Sequence, residues 1–230
     1  MKLKSEGVCK FCNKTFSSAA MSRHLQSCNE RKKIQEKEEK KWKVFLLRAQ
    51  AGPFFVYFET KASLTLKDVD KFLRDLWLEC CGHLSAFTIN NVRYELQTEG
   101  VDSLWSDIFG KAQPIKTMSS KLYSVLTPGI KFIHEYDFGS TTQLDMMFIS
   151  ERQGNLKKIE VLARNNLLDY LCTSCGKPAK AVCTQCLDEG QGFLCEKCSK
   201  KHKCGEETLL PVVNSPRMGV CGYTGNNDAW

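Results

Sequence analysis

The chain has 230 residues, 42% hydrophobic and 26% charged, proportions that exclude a disordered or collagen-like chain and leave room for one ordinary core plus small satellite modules. No stretch reaches the roughly 18 consecutive apolar residues of a spanning helix, and Met1-Lys2-Leu3-Lys4-Ser5-Glu6 lacks the apolar run of a secretory signal, so no membrane contact and a cytoplasmic, reducing setting are expected. There the 13 cysteines read as metal ligands before disulfides, and three filled sites would lower the formal net charge of +7 to about +3, which makes basicity weak support for nucleic acid.

Residues 1–30 contain Cys9-Lys10-Phe11-Cys12, then His24 and Cys28: CxxC, eleven intervening residues, HxxxC. This spacing resembles a C2HC zinc finger of the ββα type, whose hairpin supplies two cysteines and whose helix supplies the other two ligands. Phe16 and Met21 fall where such a finger keeps its small core, and His24 and Cys28 share one helix face. The helix start, Ser17-Ser18-Ala19-Ala20-Met21-Ser22-Arg23, offers a base only Arg23, and one finger covers about 3 base pairs, so RNA or protein contact competes with DNA reading. Residues 31–50 open with Arg31-Lys32-Lys33-Ile34-Gln35-Glu36-Lys37-Glu38-Glu39-Lys40-Lys41-Trp42-Lys43. These helix formers predict an exposed basic helical linker. Arg23, Arg31, Lys32, Lys33, Lys37, Lys40, Lys41 and Lys43 are candidate nucleic-acid contacts, with Trp42 able to stack on a base.

Residues 51–155 form the middle domain. Phe54-Phe55-Val56-Tyr57-Phe58 predicts a buried strand. A helix follows, with Thr65 as N-cap, Asp68 completing a capping box, Gly82 as stop, and Val69, Phe72, Leu73, Leu76, Trp77 and Cys80 on its buried face. Phe87 and Ile89, then Val92, Tyr94 and Leu96, alternate around Asn90-Asn91, a hairpin signal. A second strand pair is expected from Ile130, Phe132, His134, Tyr136 and Phe138, then Leu144, Met146 and Phe148, turning at Gly139. The order gives an α+β domain with a central antiparallel sheet.

The stretch Glu79-Cys80-Cys81-Gly82-His83-Leu84-Ser85-Ala86-Phe87, with Asn91-Val92-Arg93-Tyr94 and Glu135-Tyr136-Asp137-Phe138-Gly139, resembles the plasmid Orf3-like family, also labelled the insertion-element passenger TnpR-like family. The resemblance covers about two fifths of the chain; it implies an α+β fold and no established activity. Where that family continues with acidic residues and a tryptophan, this chain has Ser140-Thr141-Thr142-Gln143-Leu144, so no role of the acidic stretch carries over. No serine or tyrosine stands in a recombinase motif. A thiol–imidazole pair from Cys80, Cys81, His83 and His134 is imaginable. Cys80 reads better as part of the apolar stripe, His83 as a cap on helix carbonyls, His134 as a core histidine and Asp137 as a turn cap, so no enzyme is expected.

Residues 156–230 carry three CxxC pairs, Cys172/Cys175, Cys183/Cys186 and Cys195/Cys198, followed by His202, Cys204 and Cys221. Two CxxC turns complete one tetrahedral site, so the segment predicts a double-zinc module. Its order resembles cross-brace modules such as the B-box, RING and MYND fingers. That resemblance implies one site from Cys172, Cys175, Cys195 and Cys198, and another from Cys183, Cys186, His202 and either Cys204 or Cys221, with Cys204 favoured by compactness. Nine candidates for eight places leave one spare. From Asn214 to Trp230 a loop is expected, ordered if Cys221 is tied to metal. In all, about three zinc ions are expected. The function expected is non-enzymatic, zinc-dependent binding of nucleic acid or a ribonucleoprotein through the finger and linker; the alternative is a protein–protein adaptor using the C-terminal module and the middle domain.

Overall fold

A computed structural model describes residues 3–96 and 115–225. The hairpin strands β1 (Glu6–Val8) and β2 (Thr15–Ser17) lead into helix α1 (Ser18–Ser27), giving the expected ββα finger. Helix α2 (Asn29–Lys37) follows at once. Eight strands then form one sheet: β3 (Trp42–Ala51), β4 (Phe54–Lys61), β5 (Ser85–Ile89), β6 (Val92–Glu95), β7 (Ile115–Thr117), β8 (Lys131–Tyr136), β9 (Thr142–Gly154) and β10 (Glu160–Arg164). Their order is β10-β4-β3-β9-β8-β5-β6-β7, antiparallel except for the β6–β7 pair. Among the described residues no helix is long and apolar enough to cross a membrane.

Both faces of the β10-β4-β3 end of this sheet are covered. Phe45, Leu47 and Ala49 of β3 and Phe54, Val56 and Phe58 of β4 point to a main core closed by helix α3 (Leu66–Leu73), whose Leu66, Val69 and Leu73 are buried there with Leu122 of the short helix α4 (Leu122–Val125). The alternate residues Leu46, Phe55 and Tyr57 pack on the opposite face against Cys9, Met21, Leu25 and Cys28 of the finger. A strand buried on both faces reads as a continuous apolar run, which accounts for Phe54–Phe58. The finger is therefore the second cover of this end of the sheet, with two of its candidate metal ligands, Cys9 and Cys28, inside that cover.

Several local expectations meet the structure directly. Thr65 and Asp68 form the capping box, Thr65 Oγ1 accepting from the Asp68 N–H at 3.2 Å and the Asp68 carboxylate from the Thr65 N–H at 2.7 Å. Asn90 and Asn91 both have positive φ, 50° and 61°, as a tight hairpin between β5 and β6 demands.

Other local expectations are corrected. The helix after Thr65 does not run to Gly82: α3 passes into a π-helical turn over Arg74–Leu78, and Cys80 lies beyond it. Phe138 is 43% exposed, its ring under the Arg93 guanidinium, because the chain leaves β8 at Asp137 with φ 64°. The expected linker over 31–50 is half helix and half strand. α2 ends at Lys37, and residues 42–50 already belong to β3, pairing with β4 and β9, so the sheet begins earlier than residue 51.

The C-terminal module has a small sheet of β11 (Ala181–Cys183), β12 (Phe193–Leu194) and β13 (Leu209–Pro211), ordered β12-β11-β13, with a one-turn helix α5 (Glu196–Ser199). After β13 the described residues form no regular element, as expected, yet Ser215, Arg217 and Tyr223 are buried. Ser215 Oγ donates to the Trp77 carbonyl at 2.7 Å, and the fully buried Arg217 donates to the Ser140 carbonyl at 2.5 Å and pairs with Asp137. The tail is thereby tied to the central sheet. Residues 226–230 of the predicted loop lie outside the described residues.

Candidate metal centres

Among the described residues, four groups of cysteine and histidine could hold metal ions, each with its four candidate ligand atoms within 4.8 Å of one another. The first is the finger group. The turn between β1 and β2 carries Cys9 and Cys12, with Asn13 at φ 58°, and α1 brings His24 and Cys28 across from it. Cys12 Sγ lies 3.2 Å from His24 Nε2, and the His24 ring stacks on Phe16 with 4.0 Å between centroids. Burial lowers the His24 pKa, aided by Lys14, which favours the neutral imidazole that binds metal.

The C-terminal module holds two groups. Cys172, Cys175, Cys195 and Cys198 come together, with Cys175 Sγ 3.6 Å from Cys195 Sγ and 3.7 Å from Cys198 Sγ. Cys183, Cys186, His202 and Cys204 form the other, with Cys186 Sγ 3.5 Å from His202 Nε2 and 3.6 Å from Cys204 Sγ. Burial pushes the Cys172 thiol up, but backbone N–H groups at Cys195, Ser174 and Cys175 outweigh it and bring it down to about 6. Burial acts likewise on Cys183, and the Thr208 hydroxyl with the Cys186 N–H brings that thiol to about 6. By contrast, Cys186 is pushed up to about 12 by Cys204 and Cys183, and Cys198 to about 12 by Cys175 and Cys195. The protein alone thus favours some thiolates in each group; the remaining protons leave when a cation supplies the balancing charge.

Cys221 does not join that module. It stands in a fourth group with Cys80, Cys81 and His83. Cys81 Sγ is 3.6 Å from Cys80 Sγ, 3.4 Å from Cys221 Sγ and 2.9 Å from His83 Nε2, and His83 Nε2 is 3.2 Å from Cys221 Sγ. Burial pushes the Cys80 thiol up, but the Tyr136 hydroxyl and the Arg217 guanidinium outweigh it and bring it below the ordinary thiol value. Cys80 packs partly against the main core, as the stripe reading has it, and also stands in this group; His83 turns its ring to the sulfurs rather than to helix carbonyls. The sequence carried one signal of this group: the ninth candidate left over when two C-terminal sites were filled. Cys80-Cys81-Gly82-His83 lacks the CxxC spacing that marks the others.

His134 belongs to none of these groups: it is fully buried, its Nε2 2.7 Å from Asp70 Oδ1 and its ring against Phe87. Asp137 does close a turn, accepting from the Gly139 N–H at 3.1 Å; the Arg217 guanidinium also holds its carboxyl down at about 2.

The candidate nucleic-acid residues are dispersed. Arg31 is buried and donates to the Leu25 carbonyl and to Glu59. Lys33 pairs with Glu30 at 2.8 Å, Lys41 with Glu39 at 3.0 Å and Lys43 with Glu151 at 3.1 Å. The Trp42 ring is taken by Lys61, whose Nζ stands 5.0 Å from its centroid. Arg23, Lys32, Lys37 and Lys40 are exposed.

No family model and no curated protein matches the chain, so the comparisons lend the Orf3-like resemblance no support. Among solved structures, a protein of unknown function from Methanosarcina mazei Go1 is similar over 50% of this chain and 64% of its own, with a TM-score of 0.40 and 16% identity. The chain thus spans less than two thirds of that protein.

Proposed function

We propose that this protein is a non-enzymatic binding protein, held together by structural zinc, whose partner is a polypeptide. Zinc suits the donors: thiolate and imidazole in fours, with sulfur atoms 3.6–3.7 Å apart in the C-terminal groups. A tetrahedral ion with Zn–S near 2.3 Å would separate them by about 3.8 Å.

The observation that carries the choice of partner is the docking of the finger. In a DNA-reading finger the start of the helix faces the bases. Here that start is held to the sheet: the Tyr57 hydroxyl donates to the Ser18 carbonyl at 2.7 Å and the Ser18 hydroxyl to Gln50 at 3.1 Å. The ion pairs of Lys33, Lys41 and Lys43 also weaken the linker as a track for phosphates. Beside the edge strand β10 lies a groove of about 1220 Å³, walled by the finger's Val8 and Lys10 on one side and the tail's Val212 and Tyr223 on the other. The finger already bonds the β10 backbone, through the Lys10 N–H to the Leu162 carbonyl, so a polypeptide segment would lie in this groove by side-chain contacts rather than as an added strand.

Titration with RNA and with single- and double-stranded DNA at low salt tests this reading. No salt-dependent binding is expected, nor any absorbance lost on nuclease treatment of the purified protein. Binding whose log–log salt slope is roughly −2 to −4, and which flattens in the K40Q/K41Q/K43Q variant, would restore nucleic acid as the partner. A photo-crosslinker at Leu167, 59% exposed in the groove, should give adducts with one polypeptide that a crosslinker at Glu36 does not.

A further inference from the structure

We propose that Cys80, Cys81, His83 and Cys221 bind a fourth zinc ion, which clamps the C-terminal tail to the central sheet. This site is independent of the finger and of the double-zinc module. Its ligand atoms have the spacing of a three-cysteine, one-histidine centre. The sulfur separations of 3.4 and 3.6 Å and the sulfur–nitrogen separations of 2.9 and 3.2 Å are slightly under the roughly 3.8 and 3.5 Å of a tetrahedral zinc ion. The finger group is contracted in the same way, at 3.2 Å between Cys12 Sγ and His24 Nε2.

The loop carrying three of the ligands is fixed before any metal arrives. Glu79 Oε1 accepts the Gly82 N–H at 2.6 Å, and Gly82 takes the φ of +76° that the turn requires. The Tyr136 hydroxyl accepts the N–H groups of Cys80 and His83 at 3.4 and 3.3 Å and donates to Glu79 at 3.2 Å. One phenol from β8 thus sets the direction of both ends of Cys80-Cys81-Gly82-His83.

The surroundings are those of a ligated imidazole and a cluster of thiolates. His83 turns Nε2 to the sulfurs and Nδ1 toward Asp137 Oδ1, 3.7 Å away, and a carboxylate behind a metal-bound histidine fixes its tautomer and orientation. Three thiolates around a divalent ion carry one net negative charge. The Arg217 guanidinium, 3.7 Å from Cys80 Sγ and paired with Asp137, lies where it offsets that charge. Cys221 itself has φ +50°; among the described residues it is the only one other than glycine, asparagine or aspartate in the left-handed region. An L side chain avoids that conformation unless something holds it, and a metal bond would do so. A disulfide between Cys81 and Cys221 would leave Cys80 and His83 aimed at nothing.

The test is metal analysis of the full chain purified without chelator, comparing the unaltered protein with Cys221→Ser and Cys81→Ser. Four zinc ions per chain are expected, falling by one in each variant, with the segment 212–225 becoming the first site of limited proteolysis. Should either variant fail to fold, the stoichiometry of the unaltered protein and alkylation mapped by mass spectrometry decide: Cys221 should resist alkylation until a chelator is added. Three ions in both the unaltered protein and the variants would overturn the fourth site while leaving the other centres standing. A mass two units low with Cys81 and Cys221 linked would also overturn it. A metal-free protein would remove this site and the zinc-held binding protein together.

Discussion

Gly7 and the carbonyl of Arg164 are in direct contact: a Cβ at residue 7 would lie 2.1 Å from that oxygen and 2.9 Å from the Phe55 ring. The finger's first strand rests on β10 at this point, where the Asn166 N–H reaches the Glu6 carbonyl at 2.8 Å and the Lys10 N–H the Leu162 carbonyl at 2.9 Å. The neighbour that would have to yield is backbone, so Gly7→Ala should lift the finger from the sheet and cost about 1–3 kcal/mol, the usual penalty of overpacking. Zinc content should stay unchanged. Denaturant unfolding with parallel metal analysis checks both.

Glu59 joins the two halves of what composition reads as a linker and a sheet. It accepts from Arg31 at 2.5 Å and from Arg152 at 2.6 and 2.8 Å, and Arg152 reaches on to Glu38 at 2.6 Å. Burial pushes the Glu59 carboxyl up, but the guanidinium groups of Arg152 and Arg31 outweigh it and hold it below the ordinary value. Glu59→Gln should cost about 3–5 kcal/mol, since it leaves buried cations without their counter-charge. The sign with pH follows from the lowered pKa: the stabilisation is fully present above about 4.3, the unfolded value, and is lost as pH falls through the lower folded value. The gap between the parent and the variant, measured by denaturant titration, should close in that acid range.

Cys172, from the turn before β11, and Cys183, at the end of β11, belong to one small cluster made almost wholly of cysteines with Leu194 and Leu209. Such a core is too small to stand without metal. The double replacement Cys172→Ser and Cys175→Ser should melt residues 171–211, lower zinc content by two and leave β3, β4 and β9 protected in hydrogen exchange. Loss of protection in both regions would show a single folding unit.

Arg217 is the electrostatic anchor of the tail. Arg217→Met would leave Asp137 without its guanidinium and the Ser140 carbonyl without a donor. Proteolysis should then begin within 212–225 while the circular dichroism of the sheet is kept. Arg217→Lys should rescue little, because one ammonium cannot serve Asp137, Ser140 and Thr142 together.

Features written in neighbouring residues were legible in the sequence. The CxxC pairs located the finger and the module, Thr65 with Asp68 gave a cap, and Asn90-Asn91 gave a hairpin. What required the fold were relationships between distant residues. Phe54–Phe58 announces a strand buried on both faces but not that the finger supplies one of the covers. Arg31 looks like a solvated cation until Glu59 and Arg152 are brought to it from 28 and 121 positions along the chain. Cys80 falls in helical register with Trp77 and packs partly against the main core, yet beyond the π-helical turn it also joins a group with Cys221, which no local spacing could indicate.

The docking of the finger on Leu46, Phe55 and Tyr57 gives the zinc proposed for it a second consequence. If chelation melts the finger, a continuous aromatic and aliphatic patch on β3, β4 and β10 loses its cover while the main core on the other face stays intact. A sheet bared on one side, with β10 at its edge, is the geometry from which chains stack on one another. Depletion of zinc would therefore register first as loss of solubility, with most of the fold still in place.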